Sequence, residues 1–131
     1  MAGCHVQPEQ MLQLIWGYNA VVGQSVAKLS TGGVTTDCVS AAVATDEAWV
    51  VQITTSRHTD PAARRLQLFV NRGGTIITLL DKTGVVVTES INLNSSFTMV
   101  AGDTLTARGV NLVNGCTLYL DYVGYKMKLS Q

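Results

Sequence analysis

Phe97-Thr98-Met99-Val100-Ala101-Gly102-Asp103-Thr104-Leu105-Thr106-Ala107 is the stretch from which the rest of the chain is read. It holds two short runs of strand-forming residues, Phe97–Val100 and Thr104–Ala107, separated by Ala101-Gly102-Asp103. Gly102 can take a positive φ that side chains resist, and an aspartate at position 103 can bond the backbone of its own turn. The segment therefore reverses the chain between two strands. It predicts architecture, not catalysis.

Working outward, the same alternation recurs. Cys116–Lys128 sets Thr117, Tyr119, Asp121 and Val123 against Leu118, Leu120 and Tyr122, with Gly124 as the place for a bulge where the facing changes. Toward the N-terminus, Ile91 and Leu93 alternate, Val85–Thr88 reads as a short strand, and Asp81-Lys82-Thr83-Gly84 reads as a turn. Leu66–Leu80 is a hairpin closed by Arg72-Gly73-Gly74, the glycines supplying the φ values of a tight turn. Ser56–Arg65 is a polar loop broken by Pro61. Ala48–Thr55 is the strongest central strand, with Trp49, Val51 and Ile53 on one side and Val50, Gln52 and Thr54 on the other. Val34–Val43 and Tyr18–Leu29 complete the set around a Ser30–Gly33 turn.

Spacings near 8–12 residues between short strands predict an all-β fold: a single antiparallel β-sandwich, jelly-roll-like, over residues 17–131. Residues 1–16 read differently. Pro8 suits a first helical position and Glu9 the positive end of a helix dipole, with Met11, Leu12, Ile15 and Trp16 forming an apolar face. The same four residues equally suit an extended arm that orders against a neighbour. The expectation is a short N-terminal helix or an arm, with Met11, Leu12, Ile15 and Trp16 as partner-binding residues.

Composition bounds the function. Charged residues make up 14% of the chain, against about 25% in an ordinary domain. Apolar surface is expected to remain exposed, which predicts a homo-oligomer or a component of a larger assembly. Nine basic and nine acidic residues give zero formal net charge, which argues against nucleic acid and against docking to an anionic membrane. No apolar run approaches the roughly 20 residues of a membrane span. Met1-Ala2-Gly3-Cys4-His5 lacks the basic and apolar regions of a secretory signal, so folding in a cytoplasm is expected.

Candidate chemistry is sparse. Cys4, Cys38 and Cys116 are too few and too far apart for a disulfide framework, and no CxxC or HxxxH pair is present to hold a metal. Cys4 beside His5 is the one terminal pair with reactive chemistry, weighed against plain reduced thiols. His5 and His58 are the only imidazoles. Asp81, Glu89, Asp103 and Asp121 sit in turns or on polar strand faces, where solvation accounts for them. No catalytic set, cofactor or metal is expected. Arg57, His58, Arg64, Arg65 and Arg72 form the one charge concentration. Arg57, Arg64 and Arg65 are therefore the further partner-binding candidates, for an acidic patch on another protein. Tyr119 and Tyr125 share a parity on the last strand, leaving core or interface filling and a sugar-binding platform both open.

From about Trp49 to Met127 the order is AWVVQITT, a polar loop, LQLFVNRGGTIITLL, a polar connection, FTMVAGDTLTA and a tyrosine-rich last strand. This resembles the jelly-roll β-sandwich proteins of tailed-bacteriophage particles. In those proteins an aGDtL turn precedes the penultimate strand, as Ala101-Gly102-Asp103-Thr104-Leu105 does here. The matched residues are structural: Gly73, Gly74, Gly102 and Asp103 are turn residues and no site residue is carried over. The resemblance implies a non-enzymatic virion structural protein, first of all a capsid decoration (cement) protein. Such a protein would form a homo-oligomer, a trimer favoured, on the major capsid protein or another virion protein, after assembly in the host cytoplasm. A head–tail connector or tail/fibre component, and a carbohydrate- or receptor-binding module, are the alternatives.

Overall fold

Val, Ile and Thr branch at Cβ and pack well on a pleated surface, and they recur through the segments that form strands. The computed structural model describes residues 18–128, and there every regular element is a strand. These are β1 (Tyr18–Leu29), β2 (Thr35–Val39), β3 (Glu47–His58), β4 (Arg64–Arg72), β5 (Thr75–Val85), β6 (Ile91–Leu93), β7 (Phe97–Met99), β8 (Thr104–Val110) and β9 (Thr117–Lys128). The expected arm or helix over residues 1–16, including Met11, Leu12, Ile15 and Trp16, lies outside the described residues.

Two antiparallel sheets face each other as a sandwich. One has the order β1-β9-β3-β6, with β7 also on β3; the other has the order β2-β8-β4-β5. β6 pairs with Thr54–Ser56 and β7 with Trp49–Val51, so the two short strands form one interrupted edge. β1 to β4 alternate between the sheets, β4 and β5 form a hairpin within one, β6 and β7 both lie in the other, and β8 and β9 alternate again, which is the jelly-roll winding expected from the sequence.

The inner faces meet in one core. Leu66, Leu68, Val70, Leu105 and Ala107 come from the four-stranded sheet; Val51, Met99, Leu118, Leu120 and Tyr122 come from the five-stranded one. Each buried leucine contributes roughly 1.5–3 kcal/mol of transfer free energy. Trp49 and Tyr122 stack with ring centroids 6.2 Å apart.

The turns follow their chemistry. Gly73 and Gly74 have φ of 57° and 89° and close the β4–β5 hairpin between the paired Arg72 and Thr75. Gly102 has φ of 85°. Asp103 N–H donates to the Val100 carbonyl at 3.0 Å, and the Val100 N–H donates to the Asp103 carboxylate at 2.9 Å. The aspartate closes its own turn, as read from the sequence.

Two expectations are corrected. Asp81–Gly84 is not a turn: β5 continues to Val85, with Gly84 inside it at φ of 69°. The turn falls later, where Val86–Thr88 was expected to be extended. Glu89 N–H donates to the Val86 carbonyl at 3.0 Å and its carboxylate accepts the Val86 N–H at 3.1 Å, so one side chain folds that segment back. The second correction concerns β3. Val51 pairs with Gly124 and Ile53 with the preceding Val123, leaving Gln52 without a partner. This bulge shifts the phase of the pleat. Beyond it Thr54, Ser56 and His58 turn inward, and Ile53 turns outward with half of its surface exposed.

Candidate functional site

The phase shift at Gln52 shapes the solvent face of the five-stranded sheet. Cross-strand pairing arranges this face in rows running from β1 across β9 to β3: Val21, Tyr125 and Val50; then Gly23, Val123 and Ile53; then Ser25, Asp121 and Thr55; then Ala27, Tyr119 and Arg57. Rows lie about 7 Å apart and columns about 4.8 Å apart. Ile53 and Val123 form an apolar centre, 50% and 42% exposed, with Val21 exposed beside them.

Polar groups surround that centre. The Ser25 hydroxyl donates to the Asp121 carboxylate. The Arg57 guanidinium lies 3.9 Å from the centroid of the Tyr119 ring, a cation–π contact that covers one face of the aromatic. A shallow depression of about 130 Å³ is lined by Ile53, Thr55, Asp121, Tyr122 and Val123.

The outer face of the other sheet satisfies itself. Arg108 holds Asp37 through two bonds of 2.7 and 2.9 Å and lies over Phe69 at 4.9 Å. Arg65 and Gln67 both bond Asp81. Charges paired in this way present little free chemistry to a ligand.

The arginines expected to form one patch are separated. Arg57 belongs to β3 and lies on the tyrosine-bearing face. Arg64 donates from Nε to Asp60 at 2.8 Å at the base of the connecting loop. Arg65 points to the opposite sheet's outer face, paired with Asp81. The polar loop itself is confined to Thr59–Ala63, because strand pairing extends to His58 and resumes at Arg64. Gly73, Gly74, Gly102 and Asp103 all lie in or beside turns, away from this face.

The groups with acid–base chemistry are committed to structure. His58 is fully buried; its Nε2 bonds the Val85 carbonyl at 2.7 Å and its Nδ1 accepts the Asp60 N–H at 3.0 Å. The ring therefore ties β3 to the end of β5 in a single tautomer. Asp60, 1% exposed, accepts the N–H groups of Ala62 and Val113 and the Arg64 guanidinium. Burial pushes its carboxyl up, but these donors outweigh it and hold it below the usual carboxylate range. Asp103 shows the same balance: burial opposes ionisation, while Arg72 and the Val100 N–H favour it, with a net lowering. Burial pushes the Cys38 thiol up to about 11, so it stays protonated and inert at neutral pH. Among the described residues no three His, Cys, Asp or Glu side chains converge as a metal site.

The parity of Tyr119, Asp121, Val123 and Tyr125 was visible in the sequence. That Ser25, Ile53 and Arg57 join them was not, because it depends on pairing between distant strands and on the bulge.

No protein-family model and no curated protein matches the chain. Solved structures do. A protein of the Bacillus endospore appendages, described as disulfide-linked pili, matches at 15% identity over 87% of this chain and 94% of that one, TM-score 0.45. The Drosophila NLP core, studied for pentamer formation and histone binding, matches at 11% identity over 84% and 100%, TM-score 0.38. The N-terminal cellulose-binding domain of Cellulomonas fimi β-1,4-glucanase C matches at 15% identity over 86% and 82%, TM-score 0.35. The pairing of the strands, not these likenesses, defines the fold.

Proposed function

We propose that this chain is a non-enzymatic β-sandwich module that recognises a receptor or carbohydrate surface through the solvent face of its five-stranded sheet. The observation that carries this reading is the outward Ile53 beside Val123, set between Tyr119 and Tyr125 and rimmed by Ser25, Asp121, Thr55 and Arg57. An apolar centre with a polar rim is the anatomy of a recognition patch, and tyrosine and arginine are its usual anchors. Hydroxyl-rich ligands suit the mix: their apolar faces lie on Ile53, Val123 and Tyr125, and their hydroxyls bond Asp121, Ser25, Thr55 and the Arg57 that covers Tyr119. The non-enzymatic part is supported by His58, Asp60 and Asp103, whose polar atoms are occupied by structural partners. The test is a glycan array together with binding to intact cell surfaces, comparing the parent chain with Tyr125→Ala and Ile53→Lys. Binding that both variants reduce supports the reading; binding that neither changes overturns it.

A second reading is a capsid decoration protein on the major capsid protein lattice of a tailed phage. It is favoured by the turn on which the resemblance rests, where Gly102 takes positive φ and Asp103 caps Val100. In this reading the chain is a homo-oligomer in the virion and residues 1–16 tether it. Lattice-scale copy number in purified particles supports it, and a copy number typical of the neck or tail overturns it. Deleting residues 1–16 should abolish attachment while leaving the sandwich folded.

A further inference from the structure

β5 is an outer strand of the four-stranded sheet, and among the described residues its backbone pairs on one side only, with β4. Its first half, with the turn before it, reads Gly73-Gly74-Thr75-Ile76-Ile77-Thr78-Leu79-Leu80, without a charge or a proline. Exposed edges are normally blunted by exactly those residues or by a bulge. The bulge here comes late: Leu68 pairs with Leu80 and Phe69 with Thr78, so Leu79 is the unpaired residue and Thr75–Thr78 stays regular. Successive side chains of a strand point to opposite faces, yet Ile76 and Ile77 are 47% and 38% exposed. The hairpin tip therefore presents isoleucine on both faces together with an open row of backbone donors and acceptors.

We propose that two copies of this chain pair antiparallel, β5 against β5, through Thr75–Leu80, joining two four-stranded sheets into one of eight strands. The occupant is a second copy for three reasons. The segment carries no charge, so an identical segment set against it meets no like-charge opposition, and a charged partner has nothing to complement. Zero formal net charge removes long-range repulsion between copies. A two-fold axis through the middle of Thr75–Leu80 sets Ile77 against Thr78, Ile76 against Leu79 and Thr75 against Leu80, and the contact closes at two copies. The area is small: a pair of half-strands with flanking side chains falls below about 1,200 Å², the range of weak, reversible complexes. The dimer is therefore concentration-dependent. It leaves the Ile53–Val123 face of the other sheet open, so it stands or falls independently of the ligand proposed there.

Sedimentation velocity across a concentration series tests this on the full chain, with Ile76→Lys, Ile77→Lys and, on the opposite margin, Val21→Lys. The parent chain and Val21→Lys should dimerise as concentration rises; the two β5 variants should associate roughly tenfold more weakly or not at all. Circular dichroism reports whether each variant folds. As a measurement that needs no variant, backbone amides within Thr75–Leu80 should exchange more slowly at high than at low protein concentration. A parent chain that stays monomeric, dimerisation unchanged by both β5 lysines, or loss caused by Val21→Lys alone overturns the proposal.

Discussion

Gly124 lies so close to Val50 that a Cβ built on it would sit 2.0 Å from the Val50 carbonyl oxygen and 2.8 Å from the Val51 Cα. The obstruction is backbone, which cannot rotate away. Gly124 is opposite the Gln52 bulge, and its missing side chain is the room into which the bulged strand leans. Gly124→Ala should therefore destabilise the domain by about 3 kcal/mol or more, through overpacking that can be relieved only by moving β3. Denaturant unfolding reads the effect. An unchanged midpoint would show that β3 and β9 do not approach in this way.

At Gly102 the constraint is different. Nothing among the described residues lies within 4 Å of a Cβ placed there, but φ is 85°. The cost of a side chain there is conformational only, about 1–2 kcal/mol for most residues and higher for a β-branched one. Gly102→Val should lower stability clearly, and Gly102→Asn by less, because asparagine tolerates positive φ. Equal losses for the two variants would mean that crowding, not backbone conformation, sets the preference for glycine.

Asp103 and Asp60 set the response to acid. Both carboxyls are held below their ordinary range in the folded chain: burial opposes this, and Arg72 with the Val100 N–H, or the Ala62 and Val113 N–H groups with Arg64, overcome it. A depressed folded value means that the two groups contribute stability above the unfolded carboxylate value of about 3.9. That contribution is lost as pH falls through the folded values. Melting temperature should hold from neutral pH to about 4 and then drop. Asp103→Asn should begin less stable and show a shallower drop, because one of the two buried linked groups is gone while the less buried Asp46 and Asp81, also held low, remain. A parent profile that stays flat to pH 2 would contradict the linkage.

These features were unequally legible in the sequence. Strands were legible because Leu118, Leu120 and Tyr122 alternate with Tyr119 and Asp121, and Leu66, Leu68 and Val70 recur at every second position, and burial on one face imposes that period. The Gly102–Asp103 turn was legible because its chemistry is local. The bulge was not. Val50-Val51-Gln52-Ile53 continues an unbroken alternation, and the reason for the shift is Gly124, a residue of another strand whose partner no local pattern names. The same limit hid the recognition face. Half of it lies on β9 and obeys that strand's parity. The other half arrives from β1 and β3 only after pairing, with Ile53 reversed by the bulge. Arg57, Arg64 and Arg65 looked like one cluster because they are near in sequence, but β3 and β4 lie in different sheets, and Arg64 and Arg65, adjacent on β4, point to opposite faces of it.

The phase shift also left a cost inside the core. Thr54 is completely buried, and its Oγ1 has no hydrogen-bond partner among the described residues. Had β3 kept its alternation, this hydroxyl would face water. A buried hydroxyl without a partner costs roughly 1–3 kcal/mol in proteins. Valine has nearly the same shape and equal suitability for a strand. Thr54→Val should therefore raise stability by about 1 kcal/mol, read as a higher denaturant midpoint at unchanged slope. Thr54→Ser separates the contributions: it keeps the hydroxyl and removes the methyl, so it should be less stable than the parent. If Thr54→Val proves less stable than the parent, the hydroxyl is satisfied in the folded protein, and the bulge brings Thr54 inward without an energetic penalty.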